Sequence, residues 1–371
     1  EMSEGDVSIL LNAIGDISLR NQIEGSRASS DRKNPFRYVL SVLSDADIVF
    51  GNLETVLSER GNLAEKAITL STPPEHAQWL RKAGFTILNV GNNHILDRGL
   101  PGLEDTLKVL DDLGISYVGV HRRDGSGVCR VLECKGLRVG FLGYCEGGGD
   151  FYQGYELPPI NEDRMLRDID LARQKADVLV ISLHWGTENT YYPSPYQIRM
   201  AHRLVDAGAT LILGHHPHVL QAIEIYNRGL IAYSLGDFQF PCGSPRPGTC
   251  LSDWTGILRV ELGADGVKEW KLIPVQIGYD NCPRLVEAHV ASRINSMVHQ
   301  ITARVTKGYS SLEWFVEIAP EYLRGNGNSY LLRVRRYGLR HLLQCCRWLV
   351  SPFVLRCYLG LLCRAFGLRI G

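Results

Sequence analysis

Five of the eleven histidines in this 371-residue chain, His94, His184, His215, His216 and His218, fall at three places where a short apolar run ends. Two further run-ends carry carboxylates: Asp16 in Gly15-Asp16, and Glu54 in Gly51-Asn52-Leu53-Glu54. The histidine segments are Gly91-Asn92-Asn93-His94 with Asp97 close behind, His184-Trp185-Gly186-Thr187-Glu188, and Gly214-His215-His216-Pro217-His218. Each has an ordinary structural reading when taken singly. A Gly-Asp pair makes a turn or a helix cap, Asn92-Asn93 tolerates left-handed turns, and a histidine closing an apolar strand can be a hydrogen-bonded core residue. Together they supply imidazole, carboxylate and amide-oxygen donors, a mixture suited to a borderline divalent metal such as Mn, Fe or Zn. His216 and His218 flank Pro217, so one turn can bring both to a single site. A bridging carboxylate is what a pair of ions ~3.5–4 Å apart requires.

The elements that must position these residues alternate. Strands are expected at 7–14, 47–50 and 86–90, separated by helices at 35–44 and 74–83 and followed by one at 103–113. The alternation resumes with a helix at 164–176, a strand at 177–183, a helix at 195–207 and a strand at 209–213. Four β-like segments without helices follow, at 220–226, 229–234, 256–262 and 271–277. Strands alternating with helices of this length make βαβ units and an α/β sandwich. Open sheets of this kind gather ligands at the carboxyl ends of their strands, which is where all five segments sit. The later strands are expected to add to the first sheet or to face it. Helical patterns dominate from about 285, interrupted by Arg324-Gly-Asn-Gly-Asn-Ser329, which reads as a flexible linker.

In order and wording the segments resemble the CapA family of poly-γ-glutamate capsule biosynthesis proteins, a branch of the calcineurin-like metallophosphoesterases. The resemblance covers residues 7 to about 280. It is carried by Phe50-Gly-Asn-Leu-Glu54, Asn92-Asn-His-Ile-Leu-Asp-Arg-Gly99, Leu183-His-Trp-Gly-Thr-Glu188, Gly214-His-His-Pro-His-Val-Leu-Gln221 and Tyr233-Ser-Leu-Gly-Asp-Phe238. It implies a four-layer α/β/β/α sandwich over 7–284 with a helical, Arg-rich extension over 285–371. It also implies two divalent ions held by Asp16, Glu54, Asn93, His184, His216 and His218, with Glu54 as the bridge. His94 would act beside the metals as an acid, oriented by Asp97. Asn52, Asn92, Glu188, His215 and Asp237 would support the ligands or touch substrate. Two departures stand out. Ser18 occupies the place of the histidine in the superfamily's usual Asp-x-His opening, and Asp237 replaces the asparagine of Ser-Leu-Gly-Asn-Phe.

Composition narrows the partners. The chain carries 40 Lys and Arg against 40 Asp and Glu, but no acid follows Glu321, whereas nine arginines do. Residues 1–321 therefore hold 31 bases against 40 acids, an acidic body with a basic tail. Such a body repels phosphate backbones, so nucleic acid is excluded as a partner. An anionic polymer or a phosphoester held through metals fits, as do other subunits of a capsule-synthesis complex. The tail mixes Arg with Trp348–Leu355 and Tyr358–Cys363, a pattern for an anionic membrane surface or for a helical pair packed on the body. Arg347 and Arg356 interrupt it, so no spanning helix is expected. No signal peptide is evident at the polar start, where Glu1 precedes Met2. The family resemblance points to the cell envelope. None of the ten cysteines forms a CxxC pair; free thiols are expected, with a Cys242–Cys250 bridge as the alternative. Three functions remain open: a dinuclear phosphoester-type hydrolase in capsule polymer synthesis, a metal-stabilised accessory subunit of a synthesis or export complex, and a plain nucleotide or sugar-phosphate phosphatase.

Overall fold

A computed structural model describes residues 7–19, 34–122, 127–149, 151–152, 154–240, 253–338 and 340–366. The expected alternation yields two sheets. The first runs in the order Pro283–Leu285, Gly266–Ile277, Trp254–Gly263, Ser8–Ile17, Ile48–Leu53, Ile87–Asn89 and Ser116–Val118, with Asp237–Gln239 also paired to Ser8–Ile17. The second runs Ile223–Tyr226, Gly229–Ala232, Leu211–His215, Val178–His184, Leu137–Cys145 and Arg130–Cys134. Of the four late β segments, the first two extend the second sheet and the last two cross back to the first.

Strand periodicity builds the layers, because alternate residues face opposite sides. Leu11, Ala13 and Phe50 of the first sheet meet Val139, Phe141, Val180 and Leu213 of the second in one buried core. Their neighbours Ile14, Val49 and Leu88 point outward onto Leu43, Leu80, Leu103 and Leu107 of the helices covering the first sheet. On the far side, Leu142, Leu179 and Ile181 meet Met165, Ile169, Met200 and Leu204 from helices Glu162–Arg173 and Pro195–Asp206. The result is the expected α/β/β/α sandwich. Pro195–Asp206 starts where its sequence says it should: Ser194 accepts from the Gln197 backbone while the Gln197 side chain accepts from Ser194 N–H, with Pro at the first turn.

Two expectations need correction, and one pair of strands is new. The helix at 35–44 shrinks to Leu40–Leu43, preceded by turns in which Asn34 Oδ1 accepts from Phe36 N–H. The hairpin Arg130–Cys134 with Leu137–Cys145 was absent from the sequence reading. The linker at Arg324–Ser329 lies inside one continuous helix, Ser311–Tyr337. Cys242 and Cys250 lie outside the described residues; the eight other cysteines are free thiols.

Helix Ala288–Lys307 packs on the sandwich, with Ile294 and Val298 in the inter-sheet core and Ile301 and Val305 against the second sheet. Helix Ser311–Tyr337 then runs beside the mouth of the strand ends. Near its start, Trp314 Nε1 donates to the Tyr192 carbonyl at 2.8 Å. At its other end Tyr337 Oη donates to the Lys66 carbonyl at 3.0 Å. Helices Arg340–Leu349 and Pro352–Ala365 fold back along it.

Candidate metal centre

Parallel pairing brings the motif residues together. Asp16 and Asn52 are register partners on the first sheet, Asp16 and Asp237 pair on its other flank, and His184 pairs with His215 on the second. Within each sheet, neighbouring segments press closely on a glycine. A Cβ on Gly15 would sit 1.8 Å from the Gly236 carbonyl oxygen, and one on Gly214 equally close to that of Tyr233. Gly15→Ala is therefore expected to push Asp16 off its register and to destabilise the fold by about 1–3 kcal/mol or more. Denaturant unfolding should show it, and an unshifted midpoint would refute the close-approach argument.

Glu54 lies at the centre of the cluster. It is fully buried, and neither carboxylate oxygen has a hydrogen-bond partner. Its Oε1 faces His94 Nε2 at 3.8 Å and His184 Nε2 and His218 Nε2 at 3.9 Å each. These separations are too long for hydrogen bonds and leave room for an ion beside Glu54 between the His184 and His218 rings. Burying a carboxylate without a partner is costly. The orphaned Glu54 oxygens and the unpartnered buried His216 Nδ1 thus fit a cation between them. Three groups place their donor atoms within 4.8 Å of one another: Glu54, His184 and His216; Glu188, His216 and His218; and Asp16, His218 and Asp237. Carboxylate and imidazole donors in this mixture suit a divalent metal.

The supporting contacts fix these groups. Asn52 Nδ2 donates to Asp16 Oδ1 at 2.8 Å and lies 3.4 Å from His184 Nδ1, while its own Oδ1 accepts from Asn89 Nδ2 at 2.9 Å. Asn92 is a loop clamp: its amide donates to the Leu53 carbonyl at 2.8 Å and its Oδ1 accepts from His94 N–H at 3.1 Å. Asn93, the exposed member of the pair, puts Oδ1 3.0 Å from His184 Nε2. His215 is buried against the Phe50 ring, with Nδ1 3.3 Å from Asp16 Oδ1. Asp237 faces inward, its Oδ1 2.8 Å from His218 Nδ1. Ser18 donates to the Gln239 carbonyl. His216 and His218 both adopt positive φ, +94° and +59°, an unfavourable backbone that Pro217 and the packed strand ends hold in place.

His94 is held in a fixed orientation. Asp97 Oδ2 lies 2.6 Å from its Nδ1 and also accepts from Leu70 N–H, while Asp97 Oδ1 pairs with Lys66 Nζ at 2.6 Å. That contact fixes the proton on Nδ1 and turns Nε2 toward Glu54. Burial would raise the Asp97 pKa, but His94 and Lys66 hold it below the ordinary range. Lys66 was invisible as a site residue in the sequence, standing in Ala-Glu-Lys-Ala with no motif around it, and so was Asn89.

The electrostatics are those of crowded buried acids. Burial pushes Glu54 well above the ordinary range, and the Asp16 charge adds to the effect. Burial also lifts Asp237, to about 6. Asp16 stays low because the His215 contact and the charge of His218 outweigh burial. Burial disfavours charging His218, yet Asp237 and Glu54 draw its pKa well above normal. Burial takes His184 well below its ordinary value and His216 to about 4, leaving both neutral and fit to donate lone pairs.

Residues 10–241, more than half of the chain, match the family described as bacterial capsule synthesis protein PGA_cap. The chain is 32% identical to the capsule biosynthesis protein CapA of Bacillus anthracis, over 81% of this chain and 74% of the relative. It is 30% identical to the PGA biosynthesis protein CapA of Bacillus subtilis, over 71% of this chain and 70% of that one. It is also similar to the crystal structure of a novel phosphatase from Mycoplasma pneumoniae, at 15% identity and a TM-score of 0.48, covering 73% of this chain and 94% of that chain. The chain, with all five strand-end segments inside the matched region, belongs to the PGA_cap family of bacterial capsule synthesis proteins.

Proposed function

We propose that this protein is a dinuclear metal-dependent hydrolase of the phosphoester type that serves the synthesis of poly-γ-glutamate or a related capsule polymer. The polymer assignment rests on the likeness to the capsule and PGA biosynthesis proteins of the two Bacillus species. The chemistry rests chiefly on one observation, the fully buried Glu54 carboxylate with both oxygens unpartnered and three imidazole nitrogens turned toward it. Asp16, Glu54, Asn93, His184, His216 and His218 would hold the ions, with Glu54 shared between them and Mn, Fe or Zn suiting the donors. Asp237 reaches the same cluster and adds a carboxylate where the family pattern has an amide. Bound metal would acidify a water to hydroxide near neutral pH and polarise the oxygen under attack. His94, with Asp97 behind it, supplies a proton to the departing oxygen, and the Asp97 carboxylate steadies the charge that His94 carries beforehand. Asn52 and Asn89 keep Asp16 and His184 from rotating away.

A second reading keeps the metals and removes the turnover: an accessory subunit of a synthesis or export complex. Ser18 favours it, because its hydroxyl is engaged by the Gln239 carbonyl and offers no imidazole to the cluster.

The test is elemental analysis paired with turnover of p-nitrophenyl phosphate, bis-p-nitrophenyl phosphate and polyglutamate, before and after chelation. The hydrolase reading expects two metals per chain and activity that vanishes on chelation and returns with metal. Metal without turnover of any of the three substrates would favour the accessory reading. Absence of metal after reconstitution would reject both.

A further inference from the structure

We propose that helices Arg340–Leu349 and Pro352–Ala365, with the end of helix Ser311–Tyr337, form a docking face for an anionic phospholipid surface. The inference does not depend on the metal centre.

The first observation is where the exposed apolar side chains lie. Among the described residues, eleven of the twenty large exposed hydrophobics fall between Leu331 and Phe366, a tenth of the chain. They are also ordered. On helix Pro352–Ala365, Val354, Cys357, Gly360 and Cys363 face inward. Gly360 lets the helix approach so closely that a Cβ there would sit 2.5 Å from the Phe315 carbonyl oxygen. The opposite stripe, Leu355, Leu359, Leu362 and Phe366, repeats at helical spacing and faces outward, with Phe366 74% exposed. A helix that is apolar on its buried face and again on its outer face has a second apolar phase to meet.

Charge identifies that phase. Arg347, Arg356 and Arg364 are exposed on the same two helices, and no acid follows Glu321. A second copy of this chain would set basic face against basic face. An anionic bilayer presents apolar depth beneath negative headgroups, which suits exposed Leu and Phe interleaved with Arg. The acidic body would be repelled from the same surface, so only this face can settle there. Among the described residues, no single helix is long and apolar enough to cross a membrane. His341–Leu349 and Pro352–Ala365 reach the length and composition of a span only together, and they bend by 50° at the Ser351 break. A bent pair held against helix Ser311–Tyr337 is shaped to lie in the interface.

Co-sedimentation of the full chain with vesicles of phosphatidylcholine alone, and of phosphatidylcholine mixed with phosphatidylglycerol, tests this. Binding is expected to the mixed vesicles and to weaken with salt. Arg347→Gln, Arg356→Gln and Arg364→Gln together should lower the partition onto them by about 100-fold. Leu359→Glu with Leu362→Glu should abolish binding at any salt while leaving the thermal melt of the body in place. If that pair disturbs folding, Phe366→Ser at its exposed position provides the second reading, a several-fold loss. Equal binding to both vesicle types, or no binding to either, would overturn the proposal. So would a dimer in sedimentation velocity that the Leu359→Glu, Leu362→Glu variant dissolves in a protein that ignores vesicles.

Discussion

Glu54→Gln is expected to raise the stability of the metal-free protein and to abolish the stabilisation that Mn, Fe or Zn gives the wild type. The two effects have one cause. The carboxylate is buried with no hydrogen-bond partner, beside the Asp16 carboxylate and within reach of Asp237. Without a cation its charge is an uncompensated burial, and an isosteric amide should relieve about 1–3 kcal/mol of that penalty. With a cation the same charge would be the central ligand. At metal concentrations about 100-fold above the wild-type dissociation constant, binding should stabilise the wild type by about 2.7 kcal/mol. The variant should show almost none of this gain. The pH dependence has a definite sign. The folded-state pKa of Glu54 lies well above the ordinary glutamate value of 4.5, so the folded chain binds this proton more tightly than the unfolded one. That contribution is intact below about 4.5 and is lost as pH rises through the folded value, so the gap between metal-free variant and wild type should widen upward from there. Thermal melts with chelator and with metal, across pH, measure both arms. A variant that binds metal as the wild type does would remove Glu54 from the centre of the site.

Much of this centre was legible because strand ends are legible. An apolar run that stops at Gly-Asp, Gly-Asn or Leu-His announces both the strand and the residue it delivers, and parallel strands deliver those residues to one edge. What escaped was held by contacts distant in sequence. Lys66 reaches Asp97 across a loop, and its carbonyl is pinned by Tyr337, 271 residues away. Strand Leu137–Cys145 was obscured by Gly140 and Gly143, which break its apolar run. Their lack of a side chain is a packing requirement: a Cβ would meet Ala176 Cβ at 2.8 Å in one case and Asn89 Oδ1 at 2.7 Å in the other. Asn89 in turn holds Asn52, so a glycine in the second sheet makes room for the ladder that orients Asp16 in the first.

The segment Gly325-Asn-Gly-Asn328 failed as a linker for a related reason. Each glycine should weaken a helix by about 1 kcal/mol, and nothing packs where their side chains would be. Local preference is overridden by anchors on both sides. Trp314, Phe315 and Ile318 are buried at one end. Beyond the glycines, Tyr330 stacks on Trp348 with ring centroids 5.0 Å apart, and Tyr337 reaches Lys66. The helix that the sequence makes weakest in its middle is thereby fixed next to the pair that orients His94.

His94→Ala, Asp97→Asn and the double variant are expected to lower kcat by similar factors, about 10²–10⁴, while metal content stays at the wild-type level. The reason lies in the division of labour at this site. His94 Nε2 points at Glu54 from 3.8 Å but belongs to none of the three groups whose donors converge tightly, so losing its ring leaves those ligands in place. Asp97 would act through His94: its Oδ2 sits 2.6 Å from Nδ1, and it belongs to none of the three groups. With Asn in its place the amide can present a donor to Nδ1, which favours the opposite tautomer, and the charge that steadies a protonated ring is gone. Because one residue works only through the other, their effects should not add; the double variant should resemble His94→Ala. Asp97→Asn also leaves Lys66 without its buried carboxylate and should melt lower than wild type, whereas His94→Ala should not share that loss in full. The discriminating readout is the substrate. With p-nitrophenyl phosphate, whose leaving group is a stable anion, both variants should be less impaired than with an alkyl phosphoester that needs the proton. Equal losses on the two substrates would mean that His94 does not supply the leaving oxygen's proton, and metal loss in His94→Ala would make it a ligand.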